Sequence, residues 1–138
     1  MITPLALVEA AREAARHAYA PYSRFHVGAA VLLTDGSVVT GANVENASYG
    51  LSLCAETVAL AKVANLGKFA EVTEIAVIGG SGRAPVRPCG RCRQVINEAA
   101  QLGARDIVVH CAGGTGDDVE RHLSSVLLPH AFGPGDLA

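Results

Sequence analysis

The segments Cys54-Ala55-Glu56 and Pro88-Cys89-Gly90-Arg91-Cys92 hold three of the four cysteines of this 138-residue chain. Each segment follows a loop and precedes a run with helical spacing, so both are predicted to begin helices. Cys89 and Cys92 are three residues apart and therefore share one face of a first helical turn. Helix amino ends favour thiolate over thiol, because their free N–H groups and dipole stabilise negative sulfur. The pattern indicates a chemical site where two helices begin.

A catalytic zinc site is one interpretation of this pattern. Three thiolates from Cys54, Cys89 and Cys92 would leave a tetrahedral zinc one ligand short, and an open position is typical of catalytic sites. A zinc ion in such a site can activate a bound water near neutral pH. Glu56 stands beside these cysteines without being counted as a ligand, so it could move protons.

Other interpretations of the cysteines stay open on these residues alone. A C-x-x-C pair can be a redox pair, although this one does not follow the first strand of a thioredoxin-like unit. A structural zinc site would need a fourth ligand, which Cys111 could supply; we expect Cys111 instead to pack in the core, at the end of an apolar strand. The five histidines form no ligand-like pair. Glu56 alone could be a solvated carboxylate of a first helical turn.

Turn signals and hydrophobic spacing outside these segments predict the order α-β-β-α-β-α-β-β-α. Thr3 and Pro4 are a typical helix cap and first helical residue, and Asp35-Gly36 is a strong hairpin signal. The predicted elements are a first helix broken at Ala20-Pro21, strands Val27–Thr34 and Ser37–Asn43, a helix from Cys54 to about Asn65, a strand Glu74–Gly79, a helix from Cys89 to about Leu102, a strand Asp106–Cys111, a strand at 119–123 and a short helix from Ser124.

The connection at residues 112–118 is too short for a crossover helix, so strands four and five should be antiparallel. This order predicts an α/β fold with a mixed five-stranded sheet covered by helices. The length of 138 residues suits one domain over residues 1–138.

Composition argues against several classes of function. A net charge of −2 provides no broad basic surface for nucleic acid, and 4% aromatic residues provide no long base-stacking platform. No apolar run approaches the ~20 residues needed to cross a bilayer, and charged residues interrupt the amino end, so we expect neither a signal peptide nor a membrane partner. Four cysteines are too few for a disulfide scaffold. The expected location is cytoplasmic.

Taken together, the motifs closely resemble the homotetrameric zinc-dependent cytidine deaminase family. Zinc deaminases carry His or Cys, one residue, Glu, and then Pro-Cys-x-x-Cys, and this chain has the Cys form. The resemblance runs in order from residue 20 to residue 134. It includes a first loop and strand at 20–29, a nucleoside-binding segment at 41–49 and a carboxyl-terminal segment at 127–134.

The resemblance implies a three-layer fold with helices on both faces of the sheet and one zinc per chain, held by Cys54, Cys89 and Cys92. Glu56 would be the catalytic proton carrier. The implied reaction converts cytidine and 2′-deoxycytidine to uridine and 2′-deoxyuridine with release of ammonia, as in pyrimidine salvage.

The resemblance also implies how a nucleoside is bound. Asn43 and Glu45 would hold the ribose 3′-hydroxyl, and Phe25 would lie against the base. The Ala55 backbone N–H would meet the base carbonyl, and the Arg87 carbonyl would meet the exocyclic amine.

Three further residues would act across subunit boundaries of the implied tetramer. Ala47 and Tyr49 would reach a nucleoside held by a neighbouring subunit, and Phe132 would close a site across an interface.

Thr57 departs from the pattern, since many family members have arginine directly after the catalytic glutamate, where it offsets thiolate charge. We expect backbone N–H groups of the two first turns to point at the sulfurs instead. Arg87, Arg91 or Arg93 could assist, but the spacing selects none of them.

Three alternative functions stay open. A blasticidin S-type deaminase shares the architecture, although the Asn43/Glu45 pair favours a ribose. A polynucleotide deaminase is disfavoured by the acidic charge balance. A non-catalytic zinc-binding module is disfavoured by the intact Glu56 and the open fourth position.

Overall fold

The computed structural model describes residues 2–138, which form a mixed five-stranded sheet with helices on both faces. The elements are α1 Pro4–Ala15, β1 Val27–Leu33, β2 Val38–Ala42, α2 Ala55–Asn65, β3 Val72–Gly79, α3 Gly90–Leu102, β4 Val108–Gly113, β5 Val119–Leu123 and α4 Ser124–Leu127. Short 3₁₀ turns lie at Tyr49–Leu51, Phe69–Glu71 and Pro134–Asp136. The α/β prediction is confirmed.

The strand order is β2-β1-β3-β4-β5. Among the five strands of residues 2–138, only β3 and β4 pair in parallel, and β4 and β5 are antiparallel, as the short connection predicted. A parallel pair needs a crossover connection, and α3 provides it. No helix of residues 2–138 has the length and apolar character needed to cross a membrane.

The two faces of the sheet bury separate cores, which gives the molecule three layers. Ala76 and Ile78 of β3 face α1, whereas Ile75 and Val77 face α2 and α3. A strand covered on both faces needs apolar residues at nearly every position, and β3 has them. α2 and α3 therefore lie on the same face of the sheet, and this places their amino ends close together.

β4 is shifted by two residues, from the predicted Asp106–Cys111 to Val108–Gly113, and two other boundaries also differ from the sequence-based prediction by two residues or more. α1 ends at Ala15, before Ala20-Pro21, because Tyr19 pairs with the chain beyond β2: its N–H donates to the Asn43 carbonyl at 3.0 Å. β3 begins at Val72, before the predicted Glu74, because a register shift lets Val72 pair with Leu33. Both differences come from pairing with distant residues.

Candidate active site

Three cysteine sulfurs meet where α2 and α3 begin. Cys54 is the N-cap of α2, Cys89 is the N-cap of α3, and Cys92 lies in the first turn of α3. Their Sγ atoms all lie within 4.8 Å of one another, and Cys54 Sγ is 3.7 Å from Cys89 Sγ. Tetrahedral zinc with Zn–S bonds of about 2.3 Å would separate its sulfurs by about 3.8 Å. The donor set and its spacing fit zinc.

A glycine on β2 allows α2 to begin at this point. A Cβ on Gly41 would lie 2.6 Å from the Ala59 nitrogen and 2.7 Å from the Ala55 oxygen. A Cβ atom essentially never approaches another non-bonded heavy atom so closely, so a side chain at residue 41 would push away the first turns of α2. The close approach of β2 and α2 thus fixes the position of Cys54.

The environment of the sulfurs favours a bound cation. Burial raises the pKa of the Cys92 and Cys54 thiols. Partial burial also acts on Cys89, but hydrogen bonds from the Cys92 N–H and from the other two thiols lower its pKa below the ordinary value. The Cys92 N–H acts on the Cys89 pKa in the expected direction, and the pointing of first-turn N–H groups at the sulfurs stays a prediction. Three neighbouring thiolates, of which Cys92 is buried, need a compensating positive charge, which a divalent metal supplies.

Thr57 contacts the cluster through its hydroxyl, which the sequence argument did not anticipate. Its Oγ1 lies 3.5 Å from Cys92 Sγ, and this hydrogen bond acts to lower the Cys92 pKa against the effect of burial. No guanidinium within residues 2–138 is hydrogen-bonded to a ligand sulfur. The three candidate arginines donate elsewhere, Arg87 to Glu120, Arg91 to the Ser52 carbonyl, and Arg93 to the Pro88 and Leu127 carbonyls.

Glu56 lies beside the cluster in the first turn of α2 and is only 3% exposed. Burial raises the pKa of its carboxyl group, while a hydrogen bond with Cys92 acts in the opposite direction. A carboxyl group with a raised pKa is suited to carry a proton near neutral pH. This placement agrees with the expectation that Glu56 adjoins the three cysteines.

Cys111 lies apart from the cluster. It is fully buried in the core between the sheet and α2 and α3, where burial raises its pKa to about 11. The metal-ligating group contains only the other three cysteines among residues 2–138. A structural site with Cys111 as fourth ligand is therefore excluded.

A cavity of about 260 Å³ opens in front of the cysteines and Glu56. Four predicted nucleoside residues line it, namely Asn43, Glu45, Ala55 and Arg87. The sequence analysis did not identify the other lining residues outside the metal motif, which are Val27, Ser52, Leu53 and Val86. These are short polar or apolar residues of strands and loops, which carry no recognisable signal in one sequence.

The Asn43 side chain is oriented by backbone groups. Its Oδ1 accepts a hydrogen bond from the Val27 N–H at 2.9 Å, and its Nδ2 donates to the Phe25 carbonyl at 2.9 Å. An amide group has two acceptor sites and two donor hydrogens. One of each therefore remains for a ligand.

The Glu45 carboxylate is held by the turn before β1. It accepts hydrogen bonds from the N–H groups of Tyr22 and Ser23 at 2.9 and 3.1 Å and from the Ser23 hydroxyl. The hydroxyl in particular holds the pKa of Glu45 below its usual value. A carboxylate has about four acceptor sites, so one remains.

Four predicted nucleoside residues do not line this cavity in the single chain. Tyr49 is 73% exposed, and its ring lies 5.7 Å from that of Tyr22 beside an adjoining cavity of about 280 Å³. The Phe25 ring lies against Gly79 and Gly80. Ala47 and Phe132 are exposed.

Comparison with known proteins also indicates a zinc-binding deaminase. Residues 1–111 match the family model described as the cytidine and deoxycytidylate deaminase zinc-binding region. The chain is 48% identical over 131 residues to the cytidine deaminase of Halalkalibacterium halodurans, covering 95% of each protein. It is 45% identical over 127 residues to that of Mycobacterium tuberculosis, covering 92% of this chain and 87% of the relative.

A solved structure is also closely similar. The crystal structure of cytidine deaminase from Burkholderia pseudomallei superposes with a TM-score of 0.86 at 46% identity, covering 95% of this chain and all of that one. Matching motifs, matching fold and high identity over nearly the whole length lead to one conclusion: this chain belongs to the zinc-dependent cytidine and deoxycytidylate deaminase family.

Proposed function

We propose that this protein is a zinc-dependent enzyme that hydrolyses cytidine and 2′-deoxycytidine to uridine and 2′-deoxyuridine and releases ammonia. The observation that carries the proposal is the buried Glu56 carboxyl group beside three sulfurs at one end of a cavity. A structural zinc site needs no buried acid next to its ligands. Family membership and the high identity to cytidine deaminases support the same reaction.

In the proposed mechanism, Cys54, Cys89 and Cys92 would hold one zinc ion, which would supply a Lewis acid able to lower the pKa of a water molecule. Glu56 accepts a proton from this water and delivers it to ring N3. Protonation at N3 is required because attack of the water oxygen at C4 otherwise places negative charge on that nitrogen. Glu56 then transfers the proton of the new C4 hydroxyl group to the exocyclic amine, and ammonia leaves as the C4 carbonyl forms.

Backbone and side-chain groups around the cavity would orient the nucleoside. The Ala55 N–H would donate to the base carbonyl, and the Arg87 carbonyl would accept from the exocyclic amine. Asn43 and Glu45 would bind the ribose 3′-hydroxyl with the donor and acceptor sites that their backbone contacts leave free. Phe25 would approach the base after a shift of its ring.

We further propose that the chain is one domain that assembles as a homotetramer, and that it acts in pyrimidine salvage in the cytoplasm. Tyr49, Leu51 and Phe132 expose large apolar side chains, at 73%, 66% and 59%. Closed symmetry is the usual way to cover such surface. Ala47, Tyr49 and Phe132 would then complete sites of neighbouring subunits.

A substrate panel tests the function. Ammonia release is measured with cytidine, 2′-deoxycytidine, blasticidin S and a short cytosine-containing oligonucleotide, with the Glu56→Gln variant as the control for background activity. We expect turnover of the two nucleosides alone. Turnover of blasticidin S alone would replace the nucleoside proposal, and a zinc-loaded chain inactive on every compound would indicate a non-catalytic module.

A further inference from the structure

Arg93 directly follows the metal-ligating Cys92 and joins two separate segments of the chain. Its Nε donates to the Pro88 carbonyl at 2.7 Å, and its Nη1 donates to the Leu127 carbonyl at 3.0 Å. Pro88 is buried. A buried carbonyl needs a donor, and among residues 2–138 Arg93 is the donor that Pro88 has. A planar guanidinium with its donors in a fixed geometry can serve both carbonyls at once.

The Pro88 carbonyl belongs to the peptide group that carries the Cys89 nitrogen. A peptide group is planar, so the direction of this carbonyl also sets the direction of the Cys89 N–H and the start of its side chain. Cys89 is both the N-cap of α3 and a member of the sulfur cluster. The contact of Arg93 with Pro88 therefore acts on the position of a metal ligand.

The two nearest other attachments of the loop before Cys89 are both farther from the sulfurs along the chain. The Val86 N–H donates to the Ala112 carbonyl at 3.2 Å, and Arg87 pairs with Glu120 at 2.7 Å. The Arg87 pair is largely exposed, and exposed ion pairs hold geometry weakly. Arg93 is therefore the attachment placed to orient Cys89.

The second carbonyl that Arg93 binds begins the carboxyl-terminal segment 127–132. The other end of this segment is held by the same helix, because Gln94 Nε2 and Asn97 Nδ2 donate to the Phe132 carbonyl at 2.7 and 3.2 Å. The Phe132 backbone is thus attached to α3 while its ring stays exposed. In α3, Cys92 of the sulfur cluster is followed directly by Arg93 and Gln94, whose side chains bind the two ends of this segment.

We propose that Arg93 is a positioning residue that orients the Cys89 ligand through Pro88 and, through Leu127, links segment 127–132 to the metal site. The inference rests on the proposed function for the identity of the metal. The inference predicts that a change which increases the mobility of the loop at 86–89 also increases the mobility of segment 127–132, and the reverse.

The test compares Arg93→Gln and Arg93→Lys with Arg105→Gln and Arg105→Lys. Arg105 is a matched control, since its Nη1 also donates to two backbone carbonyls, those of Ala70 and Val72 at 3.0 and 3.1 Å, away from the cavity. Three measurements are made on the zinc-loaded protein: the rate of zinc transfer to a chelator, hydrogen exchange at 86–89 and 127–132, and kcat and KM for cytidine. Gln94→Ala serves as a control that removes one of the two side-chain donors to the Phe132 carbonyl and leaves both Arg93 contacts in place.

We expect Arg93→Gln to release zinc about tenfold faster and to lower kcat by about tenfold, the lower end of the effect of losing a group that orients a metal ligand. Exchange should rise in both segments, and Arg93→Lys should recover part of each loss. Arg105 variants should lose thermal stability without faster zinc release, and Gln94→Ala should raise exchange in 127–132 alone.

Zinc release and kcat in Arg93 variants equal to those in Arg105 variants would overturn the inference. So would increased exchange confined to one of the two segments. If Arg93→Gln does not fold, Arg93→Lys gives the same comparison. A wild-type chain that binds no zinc would instead overturn the proposed function, and hydrogen exchange would still test the link between the segments.

Discussion

The metal end of the cavity and its nucleoside end are built in different ways. At the metal end, one chain supplies three sulfurs within 4.8 Å and a buried carboxyl group. At the nucleoside end, Asn43 and Glu45 are already hydrogen-bonded to backbone groups, and the aromatic residues predicted to meet the substrate lie outside the cavity. The difference indicates that a single chain brings together the candidate metal ligands and Glu56, whereas the proposed nucleoside contacts also need the loops and the proposed neighbouring subunits.

The strongest test of the metal end is Glu56→Gln. We expect turnover of cytidine to fall by about 10²- to 10⁴-fold, since general acid–base catalysis contributes this much, while zinc content stays at one per chain. Ammonia release and metal analysis measure the two quantities. Near-normal turnover would remove Glu56 from the mechanism, and loss of zinc would make it part of the metal site.

The nucleoside end is tested by Glu45→Gln. We expect KM for cytidine to rise by about tenfold, because a charge-assisted hydrogen bond to the ribose is weakened, with a smaller effect on kcat. The matched control is 3′-deoxycytidine, which lacks the hydroxyl that Glu45 would bind. The variant and the wild type should have similar KM values for this analogue, and an equal tenfold penalty with both substrates would contradict the ribose contact.

The contribution of neighbouring subunits is tested by Phe132→Ala. Loss of one aromatic contact costs about 1 kcal/mol, or roughly fivefold in KM, with little change in thermal stability because the ring is exposed. Val126→Ala, which truncates an exposed apolar side chain nearby, is the control. Sedimentation gives the oligomeric state, and a fully active monomer at dilute concentration would refute the shared site.

Thr57 should give the smallest effect. Thr57→Val removes the hydroxyl that meets Cys92 and keeps the shape of the side chain. A hydrogen bond at the weak end of the usual range is worth about 0.5 kcal/mol, so we expect zinc affinity to fall roughly twofold. Thr57→Ser should retain the affinity, which competition with a chelator measures. Thr57→Arg should change turnover only modestly, and a large gain would show that the native sulfurs lack sufficient neutralising donors.

The sequence-based predictions were accurate where they depended on residues close together in the sequence, and less accurate where they depended on pairing with distant residues. The positions of Cys54, Cys89 and Cys92 at helix starts, and the antiparallel β4–β5 pair, follow from signals within a few residues. The end of α1 and the start of β3 were missed because they depend on pairing with residues far along the chain.

The sequence by itself determined the chemistry of this protein, because residue types at fixed short spacings decide which atoms a helix start presents. Three thiols, one carboxyl group and two helix starts are local properties. The sequence also predicted that Cys111 packs in the core, where it lies. Only the tertiary structure decided that Thr57 meets a cluster sulfur and that Arg93 joins Pro88 to Leu127. The Thr57–Cys92 and Arg93–Leu127 contacts connect residues about 35 positions apart, which only the packing of whole elements brings together.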